Sequence, residues 1–200
     1  QLTSRDGIGS EESIAMEVLH DDIANLRATM KQLNPEEFKK AVQAIINAEK
    51  IYIIAYRSAV SLGSFLEFYL DLVLQNTEMV RQADGISEQL LGMTERDLVI
   101  GIGFARYTKR TVEAMKYVKE KGAVTMCITD HLLSPLIPYC DIRLTAANDI
   151  NSFINSFAAP ISIINSLITA VTRHQHEKVR KRLEELEELW ENFDVFYKSP

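Results

Sequence analysis

Apolar and polar positions alternate along this chain in a way that divides it into helices and short buried strands. Leu98–Ile102 is a brief apolar run rich in Val and Ile and closed by Gly103, the pattern of a strand covered on both faces of a parallel sheet. The period then changes. From Tyr107 to Lys121, Val112, Met115 and Val118 mark one face, and Lys109, Arg110, Glu113, Lys116 and Glu120 fill the remainder, as in an amphipathic helix. Gly122 stands where a C′ glycine ends such a helix. Ala123–Ile128 is a second apolar run, so the unit reads strand, loop, helix, strand: a right-handed βαβ crossover. Ligands of such sheets bind beyond the carboxyl ends of the strands, which brings Gly103–Thr108 and Thr129–Pro135 forward.

The same reading extends in both directions. Glu11–Leu33 carries Ile14, Val18, Leu19, Ile23, Leu26 and Met30 at helical spacing. Asn34-Pro35-Glu36-Glu37 supplies an N-cap, a proline at N1 and two acids at the positive end of the next helix, Phe38–Ala48. Ile51–Ala55 is predicted as a buried strand leading through Tyr56-Arg57-Ser58 into a helix from about Ala59 to Leu74. A strand at Glu78–Gln82, a short helix at Asp84–Leu91 and a last strand at Asp141–Thr145 follow, with a single helical turn begun by Ser134-Pro135. Asn148–Val171 reads as one long helix kinked at Pro160. Lys178–Phe193 closes the chain with Leu183, Leu186, Leu189, Trp190 and Phe193 on one side and five Glu on the other, a packing or dimerisation helix. The expected fold is α/β, a three-layer α-β-α sandwich with a five-stranded parallel sheet, preceded by a helical arm. Its boundaries are expected at 1–47 for the arm, 48–174 for the α/β unit and 175–200 for the C-terminal amphipathic helix.

Composition narrows the picture. Two hundred residues with 46% hydrophobic content can bury a full core. No apolar run approaches the roughly 18 to 20 residues of a membrane span, and the first thirty residues lack a signal-peptide pattern, so a soluble, cytoplasmic protein without membrane contact is expected. A net charge of −6 argues against nucleic-acid binding by this polypeptide alone, because phosphate contacts need clustered Lys and Arg. Cys127 and Cys140 read as reduced core thiols. The chain opens on Gln1 rather than Met, which reads as a piece of something longer.

Candidate chemistry gathers at two loops, each holding an arginine beside hydroxyls: Arg57-Ser58 and Arg106-Tyr107-Thr108. If their strands are parallel neighbours, the loops meet at one sheet edge beside helix N-termini and form an anion site, for which the planar guanidinium fork is suited. Ser134 and the pair Asn155 and Ser156 are expected to approach from a neighbouring loop and the late helix. Glu67, among Phe65, Leu66, Phe68 and Tyr69, needs a partner and is a further ligand-binding candidate. His174 and His176 project to different sides of a helix and cannot share an ion, and Cys127 with His131 lacks an activating third group. No metal, cofactor or catalytic nucleophile is therefore expected.

From Ala48 to about His174 the chain resembles the SIS (sugar isomerase) domain, and more narrowly the effector domain of RpiR-type bacterial transcriptional regulators. The resemblance rests on AEKIYIIAYRSAVSLGSFL, DLVIGIGFARYTKRTVEAM, GAVTMCITDHLLSPLIPYCDIRL and SFINSFAAPISIINSLITAV. The preceding arm resembles the segment that joins such domains to an N-terminal winged helix-turn-helix, which this sequence does not contain. Where the family's phosphate loop reads roughly S-x-S-G-x-T, Gly103, Ala105 and Arg106 occupy the two serine positions and the glycine, and Thr108 keeps its type. The first loop of the family usually has glycines where Ala55 and Arg57 stand. The resemblance implies a non-catalytic sensor of a small anionic metabolite, a phosphorylated sugar or a related acid, that forms a dimer or tetramer and reaches DNA only through another domain. The alternatives are an aldose-ketose phosphate isomerase, with Glu67 or His131 as base, and a degenerate assembly module without ligand.

Overall fold

A computed structural model describes residues 10–81, 89–150 and 152–197. Two helices come first, α1 (Glu11–Gln32) and α2 (Pro35–Asn47). Asn34 caps α2 as its sequence predicts, its side-chain oxygen accepting from the backbone N–H groups of Glu36 and Glu37. Strand β1 (Ile51–Ala55) leads through a 3₁₀ turn, Arg57–Ala59, into α3 (Val60–Leu74) and the edge strand β2 (Thr77–Met79). Then come β3 (Leu98–Ile102), α4 (Lys109–Glu120), β4 (Val124–Thr129), a 3₁₀ turn at Ile137–Tyr139 and β5 (Ile142–Thr145). Helices α5 (Ala158–His174) and α6 (His176–Asn192) close the chain.

The five strands are all parallel, in the order β2-β1-β3-β4-β5. Alternate side chains feed two separate cores. Ile51, Ile53, Leu98, Ile100, Ile102, Met126 and Ile128 pack with α2, α3 and α5 on one face. Tyr52, Ile54, Val99 and Cys127 pack with Ala114, Met115 and Val118 of α4 on the other. Every residue of β1 and β3 is buried, so both read as unbroken apolar runs. Gly101 permits the closeness of α4: a Cβ there would lie 2.7 Å from the Met115 sulfur. Gly122, at φ 88°, ends α4 in the left-handed region. Cys127 and Cys140 are both buried free thiols, and burial together with the neighbouring Cys127 pushes the Cys140 thiol upward.

Three expectations differ from what is observed. The long helix expected at Asn148–Val171 is not continuous: 148–150 and 152–157 are irregular and the helix starts at Ala158. Pro160 therefore sits in the first turn, where its missing N–H is one of the donors a helix leaves unpaired anyway, and it causes no kink. The strand expected at Glu78–Gln82 runs Thr77–Met79, because pairing with β1 ends at the Val80 N–H to Ile53 carbonyl bond. The helix expected at Asp84–Leu91 falls mostly outside the described residues.

Asp97 ties the amino edge of the sheet together. It is 4% exposed, and its carboxylate accepts from Lys50 N at 3.1 Å, Thr94 N at 2.7 Å and the Thr94 hydroxyl at 3.1 Å. Asp97→Ala leaves those part-buried donors without the carboxylate and is expected to lower unfolding free energy by about 1.5–3 kcal/mol. Urea denaturation checks this: a lower midpoint at unchanged slope is expected, against no shift if water replaces the carboxylate.

Candidate functional site

The carboxyl ends of β1 and β3 open onto a cavity of about 570 Å³. Arg57 and Ser58 enter from one side and Arg106, Tyr107 and Thr108 from the other, with Asn155 across from them. Both arginines have left-handed backbones, Arg57 at φ 57° and Arg106 at φ 66°. For a residue with a Cβ this costs about 1–3 kcal/mol each and persists only where the surroundings dictate it. Both side chains are exposed, and no carboxylate among the described residues lines the cavity.

A buried carboxylate, Asp130, shapes the second loop. It accepts from Ala105 N at 2.9 Å, His131 N at 3.0 Å, the Thr129 hydroxyl at 3.1 Å and the Tyr107 hydroxyl. With four donors on two oxygens and 8% exposure, it is a structural anchor and not a free base. Tyr107 is thereby fixed at the wall, and burial, reinforced by Asp130, pushes its phenol up to about 12. Thr108 caps α4, its hydroxyl accepting from Thr111 N, so the helix N-terminus is directed at the site. The Arg106 guanidinium donates to the Phe153 carbonyl at 2.7 Å.

Not every candidate reaches the cavity. Ser134 is 2% exposed and sits beneath it, its hydroxyl 2.8 Å from that of Thr129. Ser156 turns the other way and donates to the Asp22 carboxylate of α1. Glu67 is a correction: it faces β2, accepting from Met79 N at 2.8 Å and pairing with Arg81, and it lines a separate depression between α3 and α6. Its partner lies on the next strand, which is why an acid is tolerated on that helix. His131 is exposed and does not line the cavity. His174 and His176 are exposed as well.

The apolar wall escaped sequence reasoning. Phe104 and Phe157 stack with ring centres 5.7 Å apart, and Leu136, Phe153 and Ile154 complete it. Phe153 and Ile154 stand in the stretch expected to be helical, so their exposure had no local signal. Tyr56, whose hydroxyl is buried without a hydrogen-bond partner, also lines the cavity. That burial raises its phenol.

Residues 44–170 match the SIS domain family. This chain belongs to that family. Within it, the domain groups with RpiR-type regulators. An uncharacterized HTH-type transcriptional regulator of Caldanaerobacter subterraneus is 31% identical over 92% of this chain and 67% of its own length. The sugar isomerase domain of an RpiR transcription factor from Sphaerobacter thermophilus superposes with TM-score 0.82 at 27% identity, covering 88% of this chain and 99% of that one. The NanR protein of Vibrio vulnificus, complexed with ManNAc-6P, shares the fold at TM-score 0.81 and 16% identity, over 92% of this chain and 70% of that one. The chain thus spans about two thirds of the Caldanaerobacter subterraneus regulator.

The raised Tyr107 phenol has a consequence in alkali. A group whose folded value lies above its ordinary value near 10 contributes stability that is complete below pH 10 and lost as pH rises toward about 12. Tyr107→Phe is expected to flatten the fall in stability across that window and to remove the last-titrating phenol from an ultraviolet titration. An unchanged titration would show that Tyr107 ionises near its ordinary value.

Proposed function

We propose that this chain is the effector-sensing part of a cytoplasmic DNA-binding transcriptional regulator, and that its strand-end cavity takes a small anionic metabolite, a phosphorylated sugar or a related acid. The observation that carries this reading is the pairing of Arg57 and Arg106 across one cavity, each on a left-handed backbone and with no carboxylate on the lining among the described residues. A cavity so arranged attracts anions from bulk and holds them through charge-assisted hydrogen bonds. Ser58, Thr108 and Asn155 add neutral donors within the same lining. The HTH-type names of the relatives and the phosphorylated amino sugar of NanR support the same class of ligand and role. DNA contact would belong to a part of the regulator other than this acidic domain.

Sensing fits better than isomerisation. Enediol chemistry needs a base beside the substrate. Asp130 is saturated by four donors, while Glu67 and His131 stand outside the cavity. Assembly into a symmetric oligomer completes the proposal, because Leu183, Leu189, Phe193, Phe196 and Tyr197 leave a run of apolar surface along α6 and beyond. Light scattering is expected to give a mass above 22.7 kDa at micromolar concentration, and a monomer at that mass would refute the oligomer.

Calorimetry against inorganic phosphate, hexose 6-phosphates, N-acetylmannosamine 6-phosphate and sugar acids tests the site. For whichever binds, Arg106→Ala and Arg57→Ala should each cost about 1.5–3 kcal/mol, nearer the lower figure because both side chains face water. The double variant should cost less than the sum, since both would hold one anion. Unchanged affinity in both single variants would place the ligand elsewhere.

A further inference from the structure

The wall of the cavity and the first helix are joined by a series of hydrogen bonds linked through short steps of backbone. It begins at Arg106, whose guanidinium holds the Phe153 carbonyl at 2.7 Å. Nearby, Ser156 N donates to the Asn148 carbonyl at 3.1 Å, which fastens 153–157 to 146–149. The latter stretch is fixed to α1. Ala147 N donates to the Thr29 hydroxyl at 2.9 Å, Asp149 N donates to the Asn25 side-chain oxygen at 3.1 Å, and the Asn25 amide returns a bond to the Asp149 carbonyl at 2.5 Å. Ser156 adds its own bond to Asp22.

Asn25 and Thr29 are the buried residues of α1, at 4% and 5% exposure, and both are polar. The apolar positions of the helix stay in solvent, with Leu19 54%, Ile23 44% and Met30 77% exposed, and only Leu26 and the following Leu33 pack against the main core. So α1, which also packs along α5, is fixed at its buried positions by polar side chains that replace water on the backbone of 147–149. That attachment is weaker than a hydrophobic one and is sensitive to where that backbone lies.

We propose that this chain of bonds is a latch: an anion in the cavity draws Arg106 from the Phe153 carbonyl, frees the 146–157 stretch, and loosens α1. A negatively charged oxygen is a stronger acceptor than a peptide carbonyl, and one arginine cannot keep its geometry on Phe153 while turning its fork into the cavity. The two acceptors therefore compete for the placement of one guanidinium. By linkage, whatever weakens the latch must strengthen anion binding by the same factor. The latch rests on the anion reading of the cavity, and its test separates the two.

Hydrogen exchange of the α1 amides in the full chain reads the latch directly, with β3 and β4 amides as the measure of intact folding. The first arm uses no ligand. Arg106→Gly, chosen because φ 66° suits glycine, should speed α1 exchange about fivefold or more while β3 and β4 stay protected. In the second arm, inorganic phosphate at saturation by calorimetry should speed α1 exchange in the parent chain and add nothing in the variant. The third arm is Thr29→Val, which does not line the cavity and should tighten phosphate binding about fivefold or more. Phosphate that binds without moving α1 exchange, or that slows it, overturns the latch and leaves the anion site standing. Phosphate that does not bind, with α1 still loosened in Arg106→Gly, overturns the anion reading and upholds the connection from Arg106 to α1. Unmoved α1 exchange in Arg106→Gly overturns the connection itself.

Discussion

Burial of the sheet on both faces is the constraint from which the rest follows. The central strands β1 and β3 expose nothing, so their backbone groups must be satisfied by parallel neighbours and their side chains by helices above and below. Parallel pairing sends every strand out at the same edge, and each following helix begins there. The loops after β1 and β3 are adjacent because the strands are adjacent. The cavity is thus a product of topology, and chemistry enters only in the side chains those two loops carry.

What those loops carry is set by one buried acid. Asp130 draws in Ala105 N, the Tyr107 phenol, the Thr129 hydroxyl and its own neighbour's N–H, which occupies both of its oxygens. The loop from Ala105 to Tyr107 is therefore pinned at both sides of Arg106. Holding Ala105 and Tyr107 inward forces the residue between them into the left-handed region, with its side chain turned outward. The strain at Arg106 and the outward turn of its side chain have the same cause. Where the family resemblance leads one to expect serines and a glycine, Gly103, Ala105 and Arg106 stand, and the loop offers a charged side chain.

Much of this was legible because the signals were local. The bounds of β1 and β3 follow from short apolar runs flanked by polar residues, and the cap at Asn34 from four consecutive residues. Convergence of Arg57 and Arg106 was legible once both strands were read as parallel neighbours. The stretch before α5 was not. Ile150, Phe153, Ile154 and Phe157 recur at helical spacing, yet the backbone at Ala147 and Asp149 is bonded by Thr29 and Asn25, from a helix over a hundred residues earlier. Glu67 and Ser134 misled for a related reason. A carboxylate on an apolar helix and a hydroxyl in a strand-end loop both advertise a ligand, but Met79 N with Arg81 satisfies the first and Thr129 the second.

The two leading helices differ in how they are attached, and the difference decides which of them can respond to the cavity. Helix α2 buries Ala41, Val42 and Ile45 almost completely in the main core, and Glu37 accepts from Arg143 N on β5. Detaching it would expose apolar surface at about 1.5–3 kcal/mol for each large side chain. Helix α1 lies along α5 with Asn25 and Thr29 as its buried residues, and its polar contacts are each worth a net of about 0.5–1.5 kcal/mol because water replaces them when they break. Binding one small anion commonly supplies several kcal/mol. Only the part of that energy that differs between the latched and loosened states acts on the helices, a part comparable to the polar contacts of α1 and too small to displace α2. A ligand at the strand ends can therefore move the first helix while the second keeps it tethered to the sheet.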